Sequence, residues 1–260
     1  MIKAAQLITA AICLLTVAVH AAEKTMPPIK LCYEGEDSFP WILKDQKGLN
    51  LIMLEQVAKA SNLKLEMHPM PWKRCLYDVK HNTMHGAFAA SYNADRAEFS
   101  VYPMKDGKPD SSRRMMFDSY SLYRLKGSPV SWDGNTFQGL EGPVGTQLGY
   151  SITDMLKLAD IEVDDGAKTA DDTLRKLVLK RIVAAALLTP EGDNSIASNS
   201  EFTHKIERVP IPLVEKPYFL IFSKPFQARY PAITNQLWDA VALIRDSTEY
   251  QQAESAMFRR

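Results

Sequence analysis

Residues 71–103, PWKRCLYDVKHNTMHGAFAASYNADRAEFSVYP, constrain the rest of the chain. They read as a helix, a short loop, a buried strand, a polar turn and an arginine-led segment that ends in a second strand. The apolar run 87–90 is bounded by Gly86 and Ser91. That fits a strand covered on both faces, although so short a run also fits a buried helix segment. Ser91, Tyr92 and Asn93 follow at once, then Asp95 and Arg96. In an open α/β sheet, ligands lie outside the carboxyl ends of the strands, often against a helix N-terminus. A fixed positive charge among polar side chains at such a place makes a receiving surface for a small anionic or zwitterionic solute.

The flanking sequence builds the same unit twice. Residues 29–33 alternate as a strand, and the loop EGEDSFPW after them carries Glu34, Asp37 and Trp41. Gly48 precedes a helix with Leu51, Leu54, Val57 and Ala58 on one face, and residues 63–67 alternate again. Strand–helix–strand units of this length imply parallel pairing through a right-handed crossover. Pro69 and Pro71 are expected to stop the second strand and to present Trp72, Lys73 and Arg74 on a turn before a helix near Cys75. A turn-rich insertion and a strand over 117–125 follow. The pattern then recurs: a strand over 142–146, a helix whose Ser151 and Asp154 have capping-box spacing, a helix opened by Thr169 or Asp171, and a buried strand over 182–188. A last strand spans 213–223, and a C-terminal helix carries Ile233, Leu237, Val241 and Ile244 on one stripe. The expected architecture is α/β and two-lobed, each lobe a mixed sheet flanked by helices. Two strands, near 124–128 and 214–218, form the hinge. Lobe 1 takes residues 22–124 and 217–260, and lobe 2 takes 125–216. Hinge closure around a ligand is a known behaviour of such designs.

The N-terminus assigns a compartment. Lys3, an apolar run from Ala4 to Val19 and small residues near Ala21 have the layout of a signal peptide over residues 1–21. The run is short for a spanning helix, so the mature chain is expected in the periplasm. Cys13 leaves with the signal, so Cys32 and Cys75 remain and are expected to be bonded in an oxidising compartment. Two buried free thiols are the alternative. Formal charge is zero, with 31 basic and 31 acidic residues, so no global field favours nucleic acid. No G-x-S-x-G or Cys/His arrangement points to a hydrolase, and the histidines lack ligand spacing. Hence the expectations of no enzyme activity, no cofactor, no metal and a monomer.

Five stretches together resemble a known family: Gly48-Leu49-Asn50; Gly86 ahead of SYNADRAEFSVYP; VGTQLGYS over 144–151; KRIVAAALLT over 180–189; and EYQQAESAMF at the C-terminus. In this order they resemble type II periplasmic binding proteins, specifically bacterial extracellular solute-binding family 3 of polar amino-acid importers. PWKRCL, with Cys32 in the first strand, resembles a subgroup of it. The resemblance implies a receptor that passes a small polar solute to a membrane ABC importer. A sensory receptor for a membrane signalling protein, or less favourably a dehydratase, is the alternative. It implies that Arg96 grips a solute carboxylate with its planar fork, that Ser91 and Tyr92 line the cleft, and that Trp41 forms an aromatic wall. It further implies that Gly149, Tyr150 and Ser151 offer backbone N–H groups at a helix N-terminus. Trp72 and Glu34 are added as rim and first-loop candidates. Four positions depart from the family, two of them Asn50 and Ile52, which replace acidic residues usual near the first helix. Tyr150 stands where Thr is usual, and Leu188 stands where an Asp binds the solute ammonium. Either Glu34, Asp37 or Glu191 substitutes, or the solute is not a standard α-amino acid. On a plainer reading, Arg96 pairs with Asp95 or Glu98 on the surface, and Trp72 and Arg74 only pack the edge of the lobe.

Overall fold

The computed structural model describes residues 26–44 and 47–259; the expected signal peptide and Cys13 lie outside them. In chain order the first half holds β1 (Ile29–Glu34), α1 (Leu49–Ser61), β2 (Leu65–Met70), α2 (Trp72–Lys80), β3 (Gly86–Ser91), α3 (Ala94–Ala97) and β4 (Ser100–Val101). A small hairpin, β5 (Met104–Lys105) with β6 (Lys108–Pro109), leads to the long β7 (Met116–Leu125). The second half holds a hairpin, β8 (Ser131–Trp132) with β9 (Phe137–Gln138), then β10 (Val144–Gln147), α4 (Ile152–Leu158), β11 (Val163–Ala167), α5 (Ala170–Val178) and β12 (Ala184–Leu188). It continues through α6 (Thr189–Ser198), α7 (Ser200–Lys205) and β13 (Ile206–Arg208) to the second long strand, β14 (Val214–Ser223). Three helices, α8 (Lys224–Arg229), α9 (Pro231–Arg245) and α10 (Thr248–Met257), complete the chain.

The main sheet runs β11-β10-β12-β7-β14-β3-β1-β2. Its two ends have the same plan. Three parallel strands, in the order β2-β1-β3 or β11-β10-β12, are closed by one antiparallel strand, β14 or β7. These are the two lobes. The closing strands pair with each other from Val214↔Tyr120 to Tyr218↔Met116, so each crosses from one lobe to the other. On β7 the crossing falls earlier than residues 124–128, because no glycine or proline interrupts the strand before Gly127 and the chain turns only inside the second lobe. Apolar packing is continuous along this seam: one buried cluster reaches from Leu31 and Leu220 through Met116 and Tyr120 to Val144 and Ala184.

Two local expectations are corrected. β2 does not stop at Pro69 but pairs with β1 through Met70, which is tolerable because β2 is the sheet edge and a missing N–H there costs no ladder bond. Trp72 is not in a turn before the helix; it is the first residue of α2, with Pro71 fixed at φ −54° as the cap. Cys75, three residues on, lies on the same helical face and is bonded to Cys32 of β1, with Cα atoms 5.5 Å apart. The bridge anchors α2, and with it Trp72, against the first strand. Closing a loop of 43 residues stabilises by up to about 4 kcal/mol in the chain-entropy account.

Candidate functional site

A cavity of ≈ 40 Å³ lies between the lobes where β7 and β14 cross. That holds about three waters, so a solute enters only when the lobes part. Most of its wall is apolar or aromatic: Trp41 and Phe88 from lobe 1, Met116, Tyr120 and Tyr218 from the crossing strands, Tyr150 and Leu188 from lobe 2. Its polar groups are Glu34, Ser38, Ser91, Arg96 and Ser151.

Local geometry explains how these groups arrive there. A bulge in β3, where the register against β14 shifts between Phe219 and Ile221, places Ala89 at φ 58°. Bulges bend a strand and re-aim its end; Ser91 turns inward and is 1% exposed. Asn93 then caps α3, its Oδ1 accepting from the Arg96 backbone N–H at 3.2 Å, and this turn folds Arg96 back over the strand end. Trp41 is placed by α1, whose first N–H groups donate to the carbonyls of Pro40 and Trp41, each at 3.0 Å. Gly48 is required at that junction because a Cβ there would lie 2.3 Å from the Trp41 carbonyl oxygen.

Arg96 is 7% exposed. Its Nη1 donates to the Ser91 carbonyl at 3.1 Å and toward Ser91 Oγ at 3.4 Å, while Nη2 donates to the Gly149 carbonyl of the opposite lobe at 3.1 Å. Its guanidinium carbon lies 5.5 Å from the centre of the Trp72 ring. The surface pairing with Asp95 or Glu98 is not formed; among the described residues Arg96 makes no ion pair. A buried charge of this kind is costly unless paired.

The lobes meet through further polar contacts. Ser91 Oγ and Ser151 Oγ are 3.0 Å apart, Asn93 donates to Asp154 at 2.8 Å, and Ser38 Oγ donates to Glu191 at 2.9 Å. Ser151 therefore does not cap α4: it stands at the cap position but makes no side-chain cap bond, because its hydroxyl is spent across the cleft. Asp154 likewise serves Asn93 instead of a capping box.

Three other expectations change. Gly149, at φ +82°, turns its carbonyl to Arg96, and the Tyr150 N–H is spent on the Gln147 carbonyl at 3.2 Å, so in this closed arrangement the Tyr150 N–H is not offered to a solute carboxylate. Tyr92 does not line the cavity. It is 41% exposed and packs edge-on against Tyr102, since successive residues at a strand end point to opposite faces. Arg74 pairs with Asp78 on α2 and faces away from the cavity, the plainer reading for that residue.

The acidic candidates separate. Glu34 lines the cavity and accepts from the Glu36 N–H at 3.2 Å; burial, ahead of any other cause, raises its pKa. Asp37 accepts from the Lys44 N–H in the outer loop. Glu191 is 4% exposed and accepts from Ser38 and, at 2.8 Å, from Gln147 Nε2; burial pushes it up to about 8. Asp118 on β7 was not among the expected groups. It accepts from the Trp41 indole at 2.6 Å and the Ser119 N–H at 2.7 Å, and burial raises it to about 7. Lys216 on β14 also escaped the sequence reading, because Glu215 beside it makes the start of the strand look exposed. Its Nζ donates to Ser151 Oγ at 3.3 Å.

Among the described residues no cluster of His, Cys, Asp and Glu could hold a metal ion, and no helix is long and apolar enough to cross a membrane. No family model and no curated protein sequence matches the chain. Solved structures do match its fold. The ligand-binding core of GluR0 from Nostoc punctiforme, crystallised with L-glutamate, superposes with a TM-score of 0.70 at 16% identity, covering 90% of this chain and 100% of that one. A histidine kinase sensor domain with similarity to periplasmic binding proteins gives 0.73 at 14%, covering 89% and 96%. The arginine-, lysine-, histidine-binding protein ArtJ from Geobacillus stearothermophilus gives 0.70 at 14%, covering 90% and 96%. The chain therefore has the two-lobed α/β fold of type II periplasmic binding proteins.

Proposed function

We propose that the protein is an exported solute receptor that closes on a small, acid-bearing solute and delivers it to a membrane ABC importer. The observation that carries this is Arg96, a buried guanidinium with no carboxylate partner, whose fork reaches both lobes at the mouth of the hinge. An anion entering the open cleft replaces two neutral carbonyl acceptors with charged ones, and charge-assisted bonds are about twice as strong. Both lobes then hold the same group, so binding and closure are one event. The nearby carboxyls are held by neutral donors and face no reacting nucleophile, which favours capture over chemistry. A second reading, presentation of the closed form to a membrane signalling protein, draws on the likeness to the kinase sensor domain. Deleting candidate ABC permease or sensor kinase genes and following solute uptake separates the two. The receptor reading is tested by thermal shift across acids, amino acids, peptides and amines, since a ligand that binds only the folded state raises its midpoint. A hit lost in Arg96→Met supports it, and a hit that survives that change contradicts it.

A further inference from the structure

A second cation stands behind the wall of the proposed solute site, in contact with its Ser151. Lys216, on the crossing strand β14, donates to Ser151 Oγ at 3.3 Å; Ser151 Oγ stands 3.0 Å from Ser91 Oγ; Ser91 Oγ lies 3.4 Å from Arg96 Nη1. This chain runs from the hinge through lobe 2 to lobe 1. Each hydroxyl already accepts from a cation, so each has its proton to give. One proton bridges the two serines, and the other can turn from the neighbouring Tyr120 hydroxyl to an incoming acceptor. Lys216 makes no ion pair among the described residues. Asp154, an acid close enough to act on its charge, is engaged by Asn93, and Asp118, its partner across the strands, is engaged by the Trp41 indole and the Ser119 N–H. Burial and then the nearby Arg96 charge lower the pKa of Lys216, against a smaller opposing pull from Asp154.

The acids around the cleft offer little to an ammonium group. Leu188 adds an apolar side chain to the wall, and Glu191 and Asp118, the latter paired across the strands with Lys216, each hold neutral donors on both oxygens. We infer that the solute is an organic acid with an apolar body and no α-ammonium group, and that Lys216, acting through Ser151, is the second cation at its acid group. This rests on the receptor reading and names the class of solute for it. Glu34, the one carboxylate on the cavity wall, is the group through which an amino acid would contradict it.

The test is calorimetric titration of the mature protein with matched pairs: 3-phenylpropionate against L-phenylalanine, and 4-methylvalerate against L-leucine. The acid of each pair is expected to bind roughly tenfold or more tightly than its amino acid. Lys216→Met is expected to weaken acid binding by a similar factor and to flatten its salt dependence, whereas Lys216→Arg keeps both. A merely structural role for Lys216 would alter the melting midpoint and leave the salt dependence in place. Tighter binding of the amino acids, or acid binding unchanged in Lys216→Met, overturns the inference. If amino acids bind and Arg96→Met abolishes that binding, the receptor reading survives this loss. If neither series binds, the inference falls; if only amines bind, the acid-receptor reading falls with it.

Discussion

The cations and the acids of the cleft treat buried charge in opposite ways. Among the described residues Arg96 and Lys216 hydrogen-bond only to neutral oxygens, the Ser91 and Gly149 carbonyls and the serine hydroxyls. Glu191 and Asp118, the latter facing Lys216 across the paired strands, have their oxygens filled by Ser38, Gln147, Trp41 and the Ser119 N–H. Desolvation raises both carboxyls toward neutrality, while a guanidinium has no such escape. The cations therefore wait for an anion, while the acids are complete, and Glu191 latches the lobes together through Ser38. Charge left without a counterion marks where a ligand goes; charge already satisfied marks what the protein uses for itself.

The largest effect separating the cations from the acids should come from Arg96→Met, which is expected to weaken binding of the cognate acid by about 2–5 kcal/mol, with Glu191→Gln close to wild type in the same titration. Comparable losses in both would erase the distinction. Next is the pH dependence of stability. Glu191 has its folded pKa raised from 4.5 to about 8, so between those values the folded state binds the proton that the unfolded state has lost. This contribution is full below the unfolded value and is lost as pH rises toward 8. Glu191→Gln should remove a decline on the order of a few kcal/mol across that window, seen as a flatter urea-midpoint profile; Arg96→Met should leave the profile's slope unchanged. Smaller again, Trp41→Phe deletes the indole donor to Asp118 and should cost about 1–3 kcal/mol, with the carboxyl's titration in NMR moving further up from about 7. The smallest effect lies beside the cations: Ala89→Gly relieves a left-handed alanine at φ 58° and should raise stability by about 1 kcal/mol. A loss of stability there would show that the methyl group matters more than the backbone.

Much of this was legible in the sequence. The buried runs 87–90 and 182–188 and the capping residue Thr169 are local signals, and β3, β12 and α5 appear where they predict. The pairing of Cys32 with Cys75 followed from compartment and count. Arg96, Trp41, Ser91, Ser151, Trp72 and Glu34 reach the cavity, because residues just past strand ends of an α/β sheet converge there. What sequence did not carry was direction and partnership. Tyr92 and Ser91 differ by one position and by a whole face. Ser151 has cap spacing, yet its hydroxyl is claimed by Ser91 and Lys216, which lie 60 and 65 positions away. Asp118 and Lys216 sit mid-strand, where polar residues ordinarily face solvent, and only the pairing of β7 with β14 brings them inward.

Two lobes that part, and close on an anion held at Arg96, are the centre of the proposed mechanism. Spin labels at Tyr77→Cys on α2 and Leu158→Cys on α4, both exposed at 54% and 90%, would report the distance between the lobes by pulsed electron resonance in the mature protein with its disulfide intact. A longer distance without solute that shortens when a tightly binding acid is added, and that does not shorten in Arg96→Met, is the result expected. One unchanging distance with the acid bound would contradict it.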